Sequence, residues 1–314
     1  MSVAIRQLLA GLGFACALLG AGPARAWNIG THLYVVEKIL APQVSSPSLL
    51  MEAAYGSTAL DLFNNDFTSP GVDLQRWLHD PSGDLFMEVW REGATASPAH
   101  RAFAFGLVSH NNAWGADATA HNSGLTSGQG VGWVIERGQI LGALLDPVLQ
   151  DNGIVLSPQQ LTDVGHVLVE QAVDLLMLQV DPALGGKLMA AAAARSPSDP
   201  ARLGVAWSHP FAEILGSNAA GVQMIRAYEA ASRDGVLAYG WALSQPNPLP
   251  LLAGQIAVIA EGYLGLPPGA GAALTPLIEQ GILAGMQLSA GFQQEVDATA
   301  TWVGANMAAH GVAF

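Results

Sequence analysis

Histidine and carboxylate side chains recur in this chain at spacings that suit metal binding. His110, Asp117 and His121 lie in one predicted helix, where Asp117 and His121 are each about 20° from His110 around the axis. His166 and Glu170 are four residues apart, which again places them on one helical face. Neutral imidazole and carboxylate are preferred zinc ligands, so the pattern predicts a metal site between helices.

Each of these residues also has a structural interpretation. A lone histidine on an apolar helix is more often a hydrogen-bonded residue than a ligand, and an acid four residues away is common by chance. The upstream candidates His32, Asp61 and His79 prove nothing individually. The two helical groups together are stronger evidence, because unpaired polar groups buried on two otherwise apolar helices would be costly.

Helical periodicity dominates the chain and predicts the elements that hold these residues. The stretch GTHLYVVEKIL places Leu33, Val36 and Ile39 on one stripe, with His32 near its start. The stretch SSPSLLMEAAYG has a Ser/Pro start and a Gly stop, which are helix boundary signals. Strands are hard to find, so the predicted class is all-α.

Longer helices are predicted further along the chain. One covers 99–121, and another covers 157–180 with Ser157-Pro158 in its first turn. Alanine-rich segments also read as helices, at 186–195, 219–233 and 292–308. Two Pro/Gly-rich stretches are predicted loops, at 245–250 and 266–271. The apolar run from 250 to 266 contains Glu261 and is bounded by proline, so we predict a buried helix and not a membrane span.

The first 26 residues predict a secretory signal peptide. They contain Arg6 and Arg25 but no acid, and the apolar run 8–22 is shorter than the ~20 residues of a membrane anchor. The alternative is a buried N-terminal helix or an anchor. Ala24-Arg25-Ala26 fits a cleavage site after Ala26, so we expect a secreted or periplasmic protein. Cys16 is the only cysteine, so the mature chain offers histidine, carboxylate and backbone ligands but no thiolate.

Composition and charge limit the substrates that this chain could bind. Hydrophobic residues make up 51% of it, which allows a large core. The 12 basic and 25 acidic side chains give a formal net charge of −13, and loss of the two signal arginines would make it about −15. This charge argues against tight, unaided binding to phosphate backbones. Bound metal ions could still supply positive charge for a phosphodiester.

Taken together, these residues resemble the zinc-dependent phospholipase C / S1–P1 nuclease superfamily, whose members are secreted and all-α. Those proteins begin, after processing, with a Trp whose α-amino nitrogen and carbonyl oxygen bind zinc, and Trp27 followed by His32 matches this. The family has an Asp shortly after a Gly, matched by Gly56 and Asp61. It then has a His followed by Asp-Pro, matched at His79.

The resemblance implies three zinc ions and a role for each ligand. The nine ligand residues divide into Asp61, His79, His110 and Asp117 for one ion; His121, His166 and Glu170 for a second; and the Trp27 amino and carbonyl groups, His32 and the bridging Asp117 for a third. Asp61 is also the implied general base. The resemblance is strongest over 27–170, within a single predicted domain 27–314 whose part from 180 to 314 matches only in being helical.

The central spacing departs from that family. The usual pattern is His-x3-Asp-x5-His, whereas this chain has His-x6-Asp-x3-His with Trp114 at the usual Asp position. Asp117 lies one turn further along the predicted helix, where it could still bridge. The long segment between His121 and His166 is expected to be an inserted lid or wall. His100, His209 and His310 have no family counterpart, so we expect them to be structural or surface residues.

The resemblance implies phosphodiester hydrolysis, and we favour a phospholipase C acting on phospholipid at a membrane surface. Glu170 favours lipid because the nuclease branch usually has Asp there, and the acidic, apolar chain makes a stable nucleic-acid complex unexpected. One alternative is a single-strand nuclease, with Trp77, Trp114 or Trp133 stacking on bases. Another is an exported zinc-binding protein without catalysis. No transmembrane segment is expected after processing, and the oligomeric state is left open.

Overall fold

The computed structural model describes residues 27–64, 71–127, 130–263 and 267–314. The predicted signal peptide, residues 1–26, lies outside the described residues. Within them the protein is all-α, without a β-strand, and forms one compact domain, which confirms the predicted class. Among the same residues, no helix has both the length and the apolar character needed to cross a membrane.

The first half of the chain contains the helices on which, or between which, the candidate ligands lie. They are α1 (Ile29–Leu40), α2 (Pro47–Gly56), α3 (Gly71–Leu78), α4 (Leu85–Ala94), α5 (Pro98–His110), α6 (Trp133–Asp151) and α7 (Pro158–Met177). Two short elements complete this half, a 3₁₀-helix at Ala59–Asp61 and a π-helix at Ala118–Asn122.

The second half continues with further helices packed around the first. They are α8 (Leu184–Ala194), α9 (Asp199–Ala206), α10 (Ser208–Leu215), α11 (Asn218–Leu243), α12 (Pro248–Tyr263), α13 (Thr275–Leu288) and α14 (Phe292–Ala309), with a 3₁₀-helix at Ala270–Leu274. The alanine-rich helices are therefore confirmed as α8, α11 and α14. The predicted loop at 245–250 is too long, because α12 already begins at Pro248. In this half α14 packs on α1, α13 on α7, and α8 on α2 and α11.

Local capping explains where α7 begins. Ser157 accepts a hydrogen bond from the backbone N–H of Gln160, and the Gln160 side chain accepts one from the Ser157 N–H. This capping box satisfies amides that a helix start leaves unpaired, and Pro158 suits the first turn. The predicted start of the helix that carries His166 and Glu170 is confirmed.

The predicted single helix over 99–121 is wrong. Helix α5 ends at His110, because Asn111 leaves helical geometry (φ −34°, ψ 155°) and its side-chain oxygen accepts from the N–H groups of Ala113 and Trp114 at 2.9 Å each. An asparagine side chain that satisfies the next amides stabilises a turn at this point. Asp117 and His121 therefore do not lie on the face of α5. They belong to a separate π-helical segment, which consists of the π-helix Ala118–Asn122 and its N-cap Asp117.

The segment between His121 and His166, for which we expect an inserted lid or wall, contains helix α6. Helix α6 packs along α7, and its Trp133 and Leu141 are fully buried. A Cβ added at Gly165 would overlap the carbonyl oxygen of Gly138, so glycine allows the two helices to approach closely here. This contact places the turn of α7 that carries His166 against α6.

Candidate metal centre

Eight histidine and carboxylate side chains converge from six segments of the first half of the chain. They are His32 on α1, Asp61 in the 3₁₀-helix, His79 just after α3, His110 at the end of α5, Asp117 and His121 in the π-helical segment, and His166 and Glu170 on α7. They form three groups, and within each group the ligand atoms lie within 4.8 Å of one another. The groups are His32, Asp61 and His110; His79, His110 and Asp117; and His121, His166 and Glu170. Each group has the composition to hold a metal ion.

Asp61 and Asp117 face the same two imidazoles. The Nε2 atom of His79 lies 3.3 Å from Asp61 Oδ1 and 3.5 Å from Asp117 Oδ2. The Nε2 atom of His110 lies 3.1 Å from Asp117 Oδ2 and 3.6 Å from Asp61 Oδ1. The two carboxylates and two imidazoles thus direct their donor atoms at one shared volume.

The second oxygen of Asp117 faces a different histidine. Asp117 Oδ1 lies 3.3 Å from His32 Nε2, while Oδ2 faces His79 and His110. The side chain of Asp117 is completely buried, so both oxygens are committed to these contacts. A carboxylate whose two oxygens face different ligand sets has the arrangement that a bridge between two cations needs, despite the altered spacing.

Backbone carbonyls orient two of the imidazoles. His110 Nδ1 donates to the carbonyl oxygen of Ser57 at 2.7 Å, and His79 Nδ1 lies 3.0 Å from the carbonyl oxygen and 2.9 Å from the side-chain Nε2 of Gln75. The bond to Ser57 assigns the tautomer of neutral His110, so its Nε2 presents a lone pair to the cluster, and the contacts with Gln75 hold the ring of His79 in place. The same pattern of outer hydrogen bonds accompanies metal-ligating histidines in general.

Several inward-facing atoms lack hydrogen bonds among the residues that the structure describes. They are both ring nitrogens of His32 and His121, Nε2 of His110, Oδ1 of Asp61, and both carboxylate oxygens of Asp117. Buried polar atoms are normally satisfied, so a convergent set without partners is a set that could hold a metal ion. Nitrogen and oxygen donors without sulfur fit zinc, and the residues therefore fit a metal site.

Electrostatics keep Asp61 and Asp117 ionised. Burial alone would raise the pKa of Asp117, but His110 and His32 hold it well below its usual value. Burial likewise opposes ionisation of Asp61, whose pKa is lowered by His110 and His79. Burial alone lowers the pKa of His110, but Asp117 and Asp61 raise it to about 9. The positive charge that balances the acids can therefore be a proton on His110 or a bound cation.

The group of His121, His166 and Glu170 lies between the π-helical segment and α7. His166 Nε2 lies 2.8 Å from Glu170 Oε1, as expected for residues four apart on a helix. The His121 ring meets the His166 ring edge-on, with centroids 5.2 Å apart and planes at 80°. Burial lowers the pKa of His121 to about 3, so its imidazole is neutral and can act as a ligand.

Trp27 is anchored by its side chain close to this centre. Its indole Nε1 donates to Thr119 Oγ1 at 3.0 Å, and its ring packs on that of Trp133 with centroids 5.3 Å apart. The ligand role of its amino and carbonyl groups stays a prediction. Trp133 is fully buried, so the suggestion that it stacks on nucleic-acid bases is wrong.

Asp174 supports the helices of the candidate metal centre, although the sequence pattern did not single it out. It is fully buried on α7, and its carboxylate accepts from the N–H groups of Gly30 and Thr31 at 2.9 and 2.8 Å. It also accepts from the hydroxyls of Thr31 at 2.7 Å and Tyr239 at 3.0 Å. These bonds tie the start of α1, which carries His32, to the helix that carries His166 and Glu170. The only available signal was its position, one turn beyond Glu170.

The other histidines lie outside the three groups. His100 Nε2 is 2.6 Å from Ser198 Oγ, and His209 is an exposed residue beside Glu213. His310 stacks on Trp114, with centroids 4.3 Å apart and planes at 8°.

Comparisons with known proteins do not assign this chain to a family. No protein-family model, curated protein or solved structure matches it. The functional argument therefore depends on the residues and their geometry.

Proposed function

We propose that this protein is a secreted zinc-dependent phosphodiester hydrolase that acts as a phospholipase C. The observation that supports it best is Asp117, whose two oxygens lie between His32 on one side and His79 and His110 on the other. Such a carboxylate suits two adjacent cations, and His121, His166 and Glu170 could hold a third. The proposal thus assigns three zinc ions to these groups.

Zinc ions bound here would supply Lewis-acid stabilisation of phosphate oxygens and would lower the pKa of an attacking water. Asp61 is the residue best placed to accept the proton of that water. Its side chain is 12% exposed, whereas those of His79 and Asp117 are 4% and 0% exposed. Because its pKa is lowered, it is ionised at neutral pH. It would therefore act as base and ligand, as the family resemblance implies.

The histidines would bind the zinc ions. His110 and His79 are fixed by the carbonyls of Ser57 and Gln75, so their Nε2 atoms need no reorientation when a ligand binds. Only three carboxylates face the proposed ions, so the loaded centre would be positive and would attract a phosphodiester to an otherwise acidic protein. Glu170, in place of the Asp of the nuclease branch, favours a lipid substrate.

The experiment compares hydrolysis of phosphatidylcholine vesicles and of single-stranded DNA by protein exported and cleaved after Ala26. We expect faster release of the lipid head group, loss of activity with a chelator, and recovery when zinc is restored. Asp61→Asn should lower the rate at least ~100-fold, in the range of a general base. Asp84→Asn, at an exposed surface pair with Arg91, is the matched control. Faster DNA cleavage would favour the nuclease, and zinc binding without turnover would favour a non-catalytic protein.

A further inference from the structure

Glu295 is a fully buried carboxylate in the first turn of α14, far along the chain from the candidate ligands. Its Oε1 accepts from the N–H of Leu125 at 2.7 Å. Its Oε2 accepts from the N–H and the hydroxyl of Thr126 at 2.7 and 2.6 Å. Hydrogen bonds to a charged acceptor are stronger than neutral ones, so this is a firm link across about 170 residues of sequence.

The segment that Glu295 holds directly follows His121. The π-helix Ala118–Asn122 closes with the N–H of Ser123 donating to the carbonyl of Ala118 at 2.9 Å. The chain then turns back, and the N–H of Gly132 donates to the carbonyl of His121 at 3.2 Å. π-Helices are rare, and they occur frequently at functional sites. The bonds to Glu295 therefore support an unusual turn from the rest of the fold.

Helix α14 also holds the beginning of the π-helix. Thr299, one turn beyond Glu295 and fully buried, has its Oγ1 2.9 Å from Thr119 Oγ1. The hydroxyl of Thr119 donates to the carbonyl of Ala116 at 2.8 Å, so that of Thr299 donates to Thr119. The same helix thus contacts the chain on both sides of His121.

His121 depends on support from its backbone more than His79 and His110 do. The rings of His79 and His110 are oriented by contacts of Nδ1 with backbone carbonyls. Among the described residues, neither ring nitrogen of His121 has a hydrogen-bond partner. Its direction towards His166 must therefore come from its backbone and from the packing around it.

We propose that Glu295 and Thr299 are positioning residues for His121, so that α14 supports the group of His121, His166 and Glu170 from the far end of the chain. The proposal rests on the proposed function only in that this group binds a metal ion. It also gives the C-terminal half, which the family resemblance left without a role, a direct connection to the site.

The test uses the full mature protein and variants on one helix. In Glu295→Gln the amide offers one acceptor oxygen where the carboxylate offers two. We expect it to lose about one zinc equivalent relative to wild type, with a matching change in the absorption spectrum after cobalt substitution. Thr299→Val should change the cobalt spectrum in the same direction, and Thr299→Ser should restore it. Asp297→Asn is the matched control, because Asp297 is on the same helix as Glu295 and pairs at the surface with Lys38 of α1.

A second measurement decides the proposal without any metal. In chelator-treated protein, Glu295→Gln should speed amide exchange at 119–127 roughly tenfold to a hundredfold, the loss expected for bonds to a charged group. The nuclear magnetic resonance signals of the His121 ring should shift, while those of His110 stay in place. Unchanged exchange and unchanged His121 signals would overturn the positioning role. A wild-type protein that binds no zinc would instead contradict the proposed function.

Discussion

His32 and His110 stack face to face, with ring centroids 3.9 Å apart and planes within 5° of parallel. One comes from the first helix and the other from the end of α5, and both direct Nε2 at Asp117. Burial lowers the pKa of His32, and the neighbouring His110 lowers it further. The pair therefore provides at least one neutral imidazole, which is the form that binds a metal.

The position of Asp117 predicts the result of its replacement. In Asp117→Asn, one oxygen becomes an amide nitrogen, which cannot be a ligand, and the negative charge that the bridging carboxylate would share between two cations is lost, so the positions beside His32 and beside His79 and His110 are both weakened. We expect loss of about two zinc equivalents and a fall in activity of at least ~100-fold, the upper range for a group that tunes a metal site. Elemental analysis and a phosphodiester assay would measure both.

His310→Ala is the control for this variant, because His310 stacks on Trp114 outside the three ligand groups. It should keep the wild-type zinc content. Full zinc and full activity in Asp117→Asn would mean that another acid does the bridging.

The N-terminal residue gives a second prediction. Protein made without its signal, starting Met-Trp27, should fold, because the Trp27 side chain is held by Thr119 and Trp133. It should lose one zinc equivalent and most activity, because an amide nitrogen is a far weaker donor than a free amine, which titrates near pH ~8. Mass spectrometry of the N-terminus, zinc analysis and turnover measure the difference from protein cleaved after Ala26. Equal zinc and equal rates would show that only the side chain of Trp27 matters.

Asp174 should matter for both stability and metal retention. Asp174→Asn leaves one acceptor oxygen for two N–H groups and two hydroxyls, so we expect a loss of about 2 kcal/mol in the free energy of unfolding. Zinc should also dissociate more readily, because α1 carries His32. Tyr239→Phe removes one of these bonds and should have a smaller effect.

Urea unfolding and zinc competition with a chromogenic chelator would measure both effects. Asp163→Asn, on the same helix but outside the three groups, serves as the control. A destabilised Asp174→Asn with unaltered zinc affinity would restrict Asp174 to a purely structural role.

Two buried acids far from the centre predict the pH dependence of stability. Burial raises the pKa of Glu52 to about 7, and burial together with Glu52 raises that of Asp199 to about 7. Unfolding returns both to their ordinary values near 4, so between about pH 4 and 7 the folded state holds more protons than the unfolded state. The stability that these two acids contribute should therefore fall as pH rises through this window, and this contribution should level off above about pH 7.

Glu52→Gln should remove part of this dependence. At pH 8 we expect the free energy of unfolding to increase by about 2 kcal/mol, because a buried charge is removed, with little change at pH 4. Urea titrations of chelator-treated protein at both pH values measure it, with the exposed Glu213→Gln as control. A variant that is less stable at pH 8 would contradict the expectation.

What the sequence by itself determined is local. Apolar residues at helical spacing predicted the all-α class, and Ser157-Pro158 marked the start of α7. The pairing of His166 with Glu170 was also predictable, because residues four apart on a helix must be neighbours. The family resemblance anticipated the group of His121, His166 and Glu170, whereas the structure groups His32 with Asp61 and His110, a combination that the resemblance did not imply.

Only the tertiary structure decided how the segments meet. His110, Asp117 and His121 were predicted on one helical face, but Asn111 ends α5, and the group forms through a turn and a π-helix. Asp174 and Glu295 each act across more than 140 residues of sequence. Such contacts leave no period in the sequence, because they depend on how helices pack and not on the conformation of neighbouring residues. That packing places Asp174 against the start of the helix that carries His32, and Glu295 against the segment that follows His121.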